Sequence, residues 1–257
     1  MRIKTILFDL DGVLYIGDNP VPGAVEVIEE LRTSGFGLRF ITNTSTKLPQ
    51  EIIRKLTNFG FNVSSEELFT PLRSARDYLI SVSLSRMYPV INSEILPYFK
   101  EFIIDQENPE FILIGDIGDK WNYQLMNKIF NFTMNGAKLI ALHKGKFYNS
   151  GTGNVLDIGA FISGIEYSAN VRAAVFGKPD LNFFNSAVAT TKCDKGEILM
   201  VGDDLDNDIA GAQKSGYKTV LTKTGKFNVN YVQLSDIKPD YLIESVRDLP
   251  KLIKEIK

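Results

Sequence analysis

Apolar and polar positions follow one another along this chain in short blocks. Residues 5–8 form an apolar run that ends abruptly in Asp9-Leu10-Asp11-Gly12. A run of this kind predicts a buried strand emptying into an acidic turn. Residues 22–33 place Val25, Ile28 and Leu31 on one stripe and stop at Gly35, which predicts an amphipathic helix. A second strand is predicted over 38–41, ending in Thr42-Asn43, and a second helix over 49–58, stopped by Gly60. Strand, helix, strand, helix in this order predicts a parallel sheet with helices on both faces.

The middle of the chain carries elements of its own. Strands are predicted at 88–91, 111–114 and 138–141, helices at 94–101, 122–134 and 158–168, and a polar loop at 149–154. The outer pattern then resumes. A strand at 173–176 leads into Gly177-Lys178-Pro179, and a helix is predicted over 181–190. A strand at 197–201 ends in Gly202-Asp203, followed by a short helix over 208–214, strands at 219–222 and 241–243, and a closing helix over 249–256. The expected fold class is α/β: a Rossmann-like, doubly wound parallel sheet built from residues 1–76 and 176–257, with an inserted α/β domain over 77–175.

Composition works mainly by exclusion. Lys and Arg number 29 against 31 Asp and Glu among 257 residues, a net charge of -2, with no basic excess to attract nucleic acid or an anionic membrane. No apolar run approaches the roughly 18 residues that a membrane span needs. Cys193 is the single cysteine and cannot form an internal disulfide, and no leader pattern precedes the first strand. These features predict a cytoplasmic protein. His143 is the single histidine, which weighs against His-ligated zinc and against Ser–His–Asp or Cys–His catalysis. Acid–base work falls to carboxylates or lysine.

Candidate chemistry gathers at the strand ends. Asp9 with Asp11, Thr42 with Asn43, Lys178, and Asp203 with Asp208 each follow a predicted strand. Each would project from the carboxyl edge, the ligand side of an open α/β sheet. Two close carboxylates repel unless a cation lies between them or one keeps a proton. Carboxylate oxygens suit Mg²⁺. Phosphoryl transfer needs a cation, a lysine and preset hydrogen-bond donors, and a carboxylate can itself attack phosphorus. Ordinary structural uses stand beside these: Thr42 and Asn43 as turn caps, Lys178 as a solvated lysine, Asp208 as a helix cap. Asp203, Asp204, Asp206 and Asp208 superficially suggest a calcium loop, but the glycine and glutamate that such a loop requires are missing. His143 is expected as a structural residue, and Trp121 and Tyr123 as core or interface of the inserted domain.

The order Asp9-Leu10-Asp11-Gly12-Val13, Ile41-Thr42-Asn43, Gly177-Lys178-Pro179 and Gly202-Asp203 with Asp208 resembles the haloacid dehalogenase (HAD) superfamily. The long insertion resembles the C2-type cap of subfamily IIA, and Phe69-Thr70-Pro71 and Gly211-Ala212-Gln213-Lys214-Ser215-Gly216 look like the same branch. The resemblance implies a Mg²⁺-dependent phosphatase that hydrolyses small phosphorylated molecules through an aspartyl-phosphate. It makes Asp9 the nucleophile and Asp11 the general acid/base, with the Asp11 main-chain carbonyl a metal ligand. It makes Asp203 a further metal ligand and Asp208 an acid acting on the metal through water or neighbouring groups. Leu10, Thr42 and Asn43 would hold phosphate oxygens, and Lys178 would balance charge. The cap would select the substrate and serve as a homodimer contact. Two alternatives are a phosphate-responsive signalling module of receiver type, which has about half this length, and a metal-independent dehalogenase, against which Asp11 and Asp203 argue.

Overall fold

The short apolar runs become strands of two separate sheets. In the computed structural model, which describes residues 2–83, 85–149 and 154–256, the chain divides into two compact units. The first comprises Met1–Thr42, Gln50–Phe69 and Lys178–Lys257, and the second Asn43–Pro49 and Thr70–Gly177. The second unit thus begins before the expected start at 77 and takes in the segment after Thr42.

The first unit is built on a six-stranded sheet in the order Tyr241–Ile243, Lys218–Thr222, Ile198–Gly202, Thr5–Asp9, Gly37–Ile41, Leu68–Phe69, with every pairing parallel. A parallel sheet needs cover on both faces, and alternate residues of a strand point to opposite sides. Ile6, Phe8, Leu199 and Val201 enter one core with Ile28 and Leu31 of helix Ala24–Thr33 and Leu56 of helix Pro49–Asn58. Leu7, Ile198 and Met200 enter the opposite core with Phe183 and Phe184 of helix Leu181–Val188. The order of strands reverses beside Thr5–Asp9, where the chain winds one way to Gly37–Ile41 and the other way to Ile198–Gly202. That reversal opens a crevice at the carboxyl edge. Asp9 lies opposite Ile41 and Phe8 opposite Val201, so Asp9, Thr42 and Asp203 all leave the sheet at this edge.

The second unit has a five-stranded parallel sheet in the order Ala174–Val175, Lys138–Ala141, Phe111–Ile114, Arg86–Val90, Ile103–Ile104. Phe111 and Leu113 face a core shared with Leu72, Ala75 and Leu79 of helix Pro71–Ser81. Ile112 and Ile114 face helices Tyr123–Met134 and Ile158–Ala169. Trp121 stacks on Phe161 with ring centroids 4.5 Å apart, whereas Tyr123 is exposed and does not join the core.

Several elements differ from the sequence expectation. Residues 94–101 form a 3-10 turn, Leu96–Phe99, because Pro97 lacks an amide donor and the next strand follows at Ile103. Helix Pro71–Ser81 was not expected, although Thr70 caps it by accepting from Arg73 N at 3.2 Å and Pro71 sits at its first position. The short helix expected over 208–214 is a π-turn, Leu205–Ala210, followed by helix Gly211–Ser215. The flanks of the expected polar loop pair as antiparallel strands Phe147–Asn149 and Asn154–Leu156, and 150–153 lie outside the described residues. Among the described residues, no helix is long and apolar enough to cross a membrane.

Candidate active site

Asp9 closes the central strand and is buried. The buried Lys178 donates from Nζ to Asp9 Oδ1 at 2.6 Å and pairs with Asp208 Oδ1 at 2.7 Å. Burial disfavours the charge on Lys178, but Asp208 and Asp9 outweigh that cost and hold its pKa above the usual lysine range. Asp203 follows strand Ile198–Gly202 and completes a buried group. Asp9, Asp203 and Asp208 each offer an oxygen within 4.8 Å of the others.

The way these carboxylates are held shows what they lack. Asp203 Oδ2 accepts from Lys226 N at 2.6 Å, while its Oδ1 is buried with no hydrogen-bond partner among the described residues. Asp208 Oδ2 accepts from the main-chain amides of Asp203 and Asp204, both at 3.2 Å. Asp208 is therefore not the helix cap. That place belongs to Asp204, which accepts from Asp206 N at 3.1 Å and Asn207 N at 2.9 Å. Desolvation, and then the charge of Asp9, push Asp203 up to about 8 and Asp208 up to about 7. Gly12 lies against this group with φ +93°, and a Cβ there would collide with the Asp203 carboxylate.

A Mg²⁺ ion fits these residues. The donors are all oxygens, as a hard divalent cation prefers. A buried carboxylate oxygen without a donor is costly, and an ion between Asp9 and Asp203 would satisfy it.

The remaining expected residues fall in different places. Asp11 is exposed and stands outside the buried group. Partial desolvation and the Asp9 charge push its carboxyl above the usual range, against the charges of Lys55 and Lys226 and a backbone hydrogen bond from Gly17. The following turn is a small hairpin, Tyr15–Ile16 with Asn19–Pro20, pinned by Lys55, whose Nζ donates to Gly17 O at 2.7 Å and lies 4.4 Å from the Tyr15 ring centroid. The Leu10 side chain is in the core and its carbonyl accepts from Leu14 N at 2.9 Å, so only its main chain borders the site. Thr42 is buried just past Ile41 at the carboxyl edge, and its amide donates to Phe69 O at 3.2 Å. Asn43 belongs to the second unit, where its Oδ1 lies against Gly177.

His143 is also in the second unit. Its Nδ1 lies 3.6 Å from Asp157 Oδ2 and accepts from Gly145 N at 3.4 Å, and burial lowers its pKa. The group that sequence reasoning missed is the segment after strand Lys218–Thr222: Thr224, Gly225 and the amide of Lys226. Its signal was a Thr-Gly pair directly after a strand at the same carboxyl edge.

Comparison with known proteins identifies the family. A haloacid dehalogenase-like hydrolase model matches residues 6–104, and a HAD-hydrolase-like model matches residues 175–249. The chain is 37% identical over 225 residues to haloacid dehalogenase-like hydrolase domain-containing protein 2 of Bos taurus, covering 88% of this chain and 86% of that protein. It is 33% identical over 251 residues to phospholysine phosphohistidine inorganic pyrophosphate phosphatase of Xenopus laevis, covering 95% and 92%. The crystal structure of a 4-nitrophenylphosphatase from Thermotoga maritima matches with a TM-score of 0.88 at 25% identity, covering 98% of this chain and 97% of that one. With its buried aspartates and paired lysine at the switch point of a parallel sheet, the chain belongs to the haloacid dehalogenase-like hydrolases.

Proposed function

We propose that this chain is a Mg²⁺-dependent phosphatase that hydrolyses small phosphorylated molecules through an aspartyl-phosphate on Asp9. The observation that carries the proposal is the buried Asp9–Lys178–Asp208 array beside Asp203, whose Oδ1 lacks a donor. Two of the similar proteins are named as phosphatases.

An Asp9 carboxylate oxygen attacks phosphorus, and the bond from phosphorus to the leaving oxygen breaks. Asp11 gives its proton to that oxygen; the raised pKa of its carboxyl suits an acid. Asp11, now ionised, takes a proton from water as that water attacks phosphorus, which releases Asp9 and inorganic phosphate. Lys178 offsets the negative charge that gathers at Asp9, and Asp208 holds the lysine in place. Thr42, the main chain of Leu10 and Asn43 supply donors to the phosphoryl oxygens. Asp9, Asp203 and the Asp11 carbonyl would hold Mg²⁺, with Asp208 behind them, and the bound ion supplies positive charge opposite the phosphoryl group. Substrate choice lies with the second unit, which also supplies the contact of a homodimer, a point that light scattering tests.

The direct experiment is hydrolysis of p-nitrophenyl phosphate by the purified protein. Turnover should require Mg²⁺ and vanish in Asp9→Asn. Full activity in Asp9→Asn, or no turnover across a broad phosphoester panel, overturns the proposal.

A further inference from the structure

We infer that the segment Thr224-Gly225-Lys226 is a positioning clamp that sets the Asp203 carboxylate for the cation. This rests on the Mg²⁺ reading above and deepens it. Strand Lys218–Thr222 delivers the segment to the edge from which Asp9 and Asp203 emerge.

The clamp has a donor, a wall and a tie. The donor is Lys226 N, which engages Asp203 Oδ2 at 2.6 Å. With Oδ2 engaged, Oδ1 is left as the buried oxygen without a hydrogen-bond partner among the described residues, on a carboxylate whose group includes Asp9. One main-chain donor therefore decides which oxygen is presented.

The wall is made of two glycines. Gly225, at φ +56°, and Gly12, at φ +93°, both press on Asp203, and a Cβ on either would run into its carboxylate. Both conformations also favour glycine. The Asp203 side chain is thereby enclosed between two main-chain segments far apart in sequence.

The tie joins those two segments. The Thr224 hydroxyl donates to Gly12 O, and it lies 2.9 Å from the Thr222 hydroxyl. A carbonyl only accepts, so Thr224 directs its proton to Gly12, and the Thr222 hydroxyl beside it donates to Gly202 O at 3.4 Å. The Lys226 side chain adds a contact with Asp204 Oδ2 at 3.0 Å, and Asp204 caps the turn that carries Asp208. The turn after Asp11, the Asp203 carboxylate and the Asp208 turn are thus held together by a segment that contributes no side-chain ligand of its own.

Groups that orient metal ligands act on cation affinity, commonly about ten- to hundredfold. The test is calorimetric titration of Mg²⁺ into the metal-free protein, with thermal melts to establish folding. Gly225→Ala and Thr224→Val should each weaken Mg²⁺ binding by about tenfold or more. Thr224→Ser keeps the hydroxyl and should bind close to wild type. At saturating Mg²⁺ the kcat of Thr224→Val should approach wild type, because the clamp acts through affinity for the ion. Wild-type Mg²⁺ affinity in folded Thr224→Val overturns the clamp, and so does equal weakening in Thr224→Val and Thr224→Ser. That pair decides the matter even if Gly225→Ala fails to fold. Asp203→Asn separates the clamp from the metal site: if it binds Mg²⁺ as tightly as wild type, the metal site itself is misassigned.

Discussion

Glu166 in the second unit and Asp203 in the first are buried to a similar degree, at 6% and 2% exposure. Around Glu166, Lys144 Nζ lies at 2.5 Å, Ala173 N at 2.9 Å and Arg172 at 3.6 Å. Burial raises the Glu166 pKa, but these donors outweigh it and hold the carboxylate below its usual range. Among the described residues, Asp203 has around it one main-chain donor, two further carboxylates, and Lys178 already engaged with both of those. There burial prevails and the pKa rises to about 8. A buried acid with all its donors in place holds the fold together and has nothing left to offer a ligand. A buried acid kept short of donors stores electrostatic cost that a cation can relieve. Burial alone does not mark a functional carboxylate; the count of donors around it does.

The comparison breaks most sharply through activity. Asp9→Asn should lower the rate of p-nitrophenyl phosphate hydrolysis by at least about 10³-fold, the scale on which losing a nucleophile acts. Thermal melts should show the fold intact. A loss below tenfold would move Asp9 out of the nucleophile role.

Stability gives the next effect. Glu166→Gln removes the charge that Lys144 and the Ala173 amide serve, and should cost about 2 kcal/mol in urea unfolding. An unchanged midpoint would mean that Glu166 is not the matched acid described above. Asp203→Asn in the metal-free protein should show the opposite sign, with no loss and a gain on the order of 1 kcal/mol at pH 8. A clear loss there would contradict an electrostatic shortage at Asp203.

The two sites should also diverge with pH in the metal-free protein. The folded pKa of Asp203 is raised from 3.8 to about 8, so its contribution is present below about 4 and lost as pH rises through 8. Glu166 is lowered from 4.5, so its contribution is present above that value and lost as pH falls through its folded pKa. Saturating Mg²⁺ should flatten the high-pH limb of the stability profile and leave the low-pH limb unchanged. The smallest effect is at Arg172, whose side chain is 88% exposed; Arg172→Ala should change stability by less than about 0.5 kcal/mol.

Asp9, Lys178 and Asp203 were legible in the sequence because each lies at or just past the end of a largely apolar run, and a strand of a parallel sheet delivers its last residue to the carboxyl edge; Asp208, five residues past Asp203, is brought back by the π-turn. Asp204 was not legible as the cap, since Asp204 and Asp208 offer the same chemistry and only the π-turn decides which one faces its own helix. Helix Pro71–Ser81 carried a readable start in Thr70-Pro71, but the extended Leu68–Phe69 strand just before it sits in the same apolar stretch. The clamp was illegible for a different reason. Its work is done by main-chain atoms and by the absence of a Cβ, neither of which has a composition to read.

The central strand Thr5–Asp9 has Ile198–Gly202 for one of its two neighbours. A chain emerging from the ribosome therefore carries a fully buried strand with one edge bare until most of the polypeptide has been made. An unpaired apolar edge invites other strands. Chains interrupted before Ile198 should accumulate as aggregates.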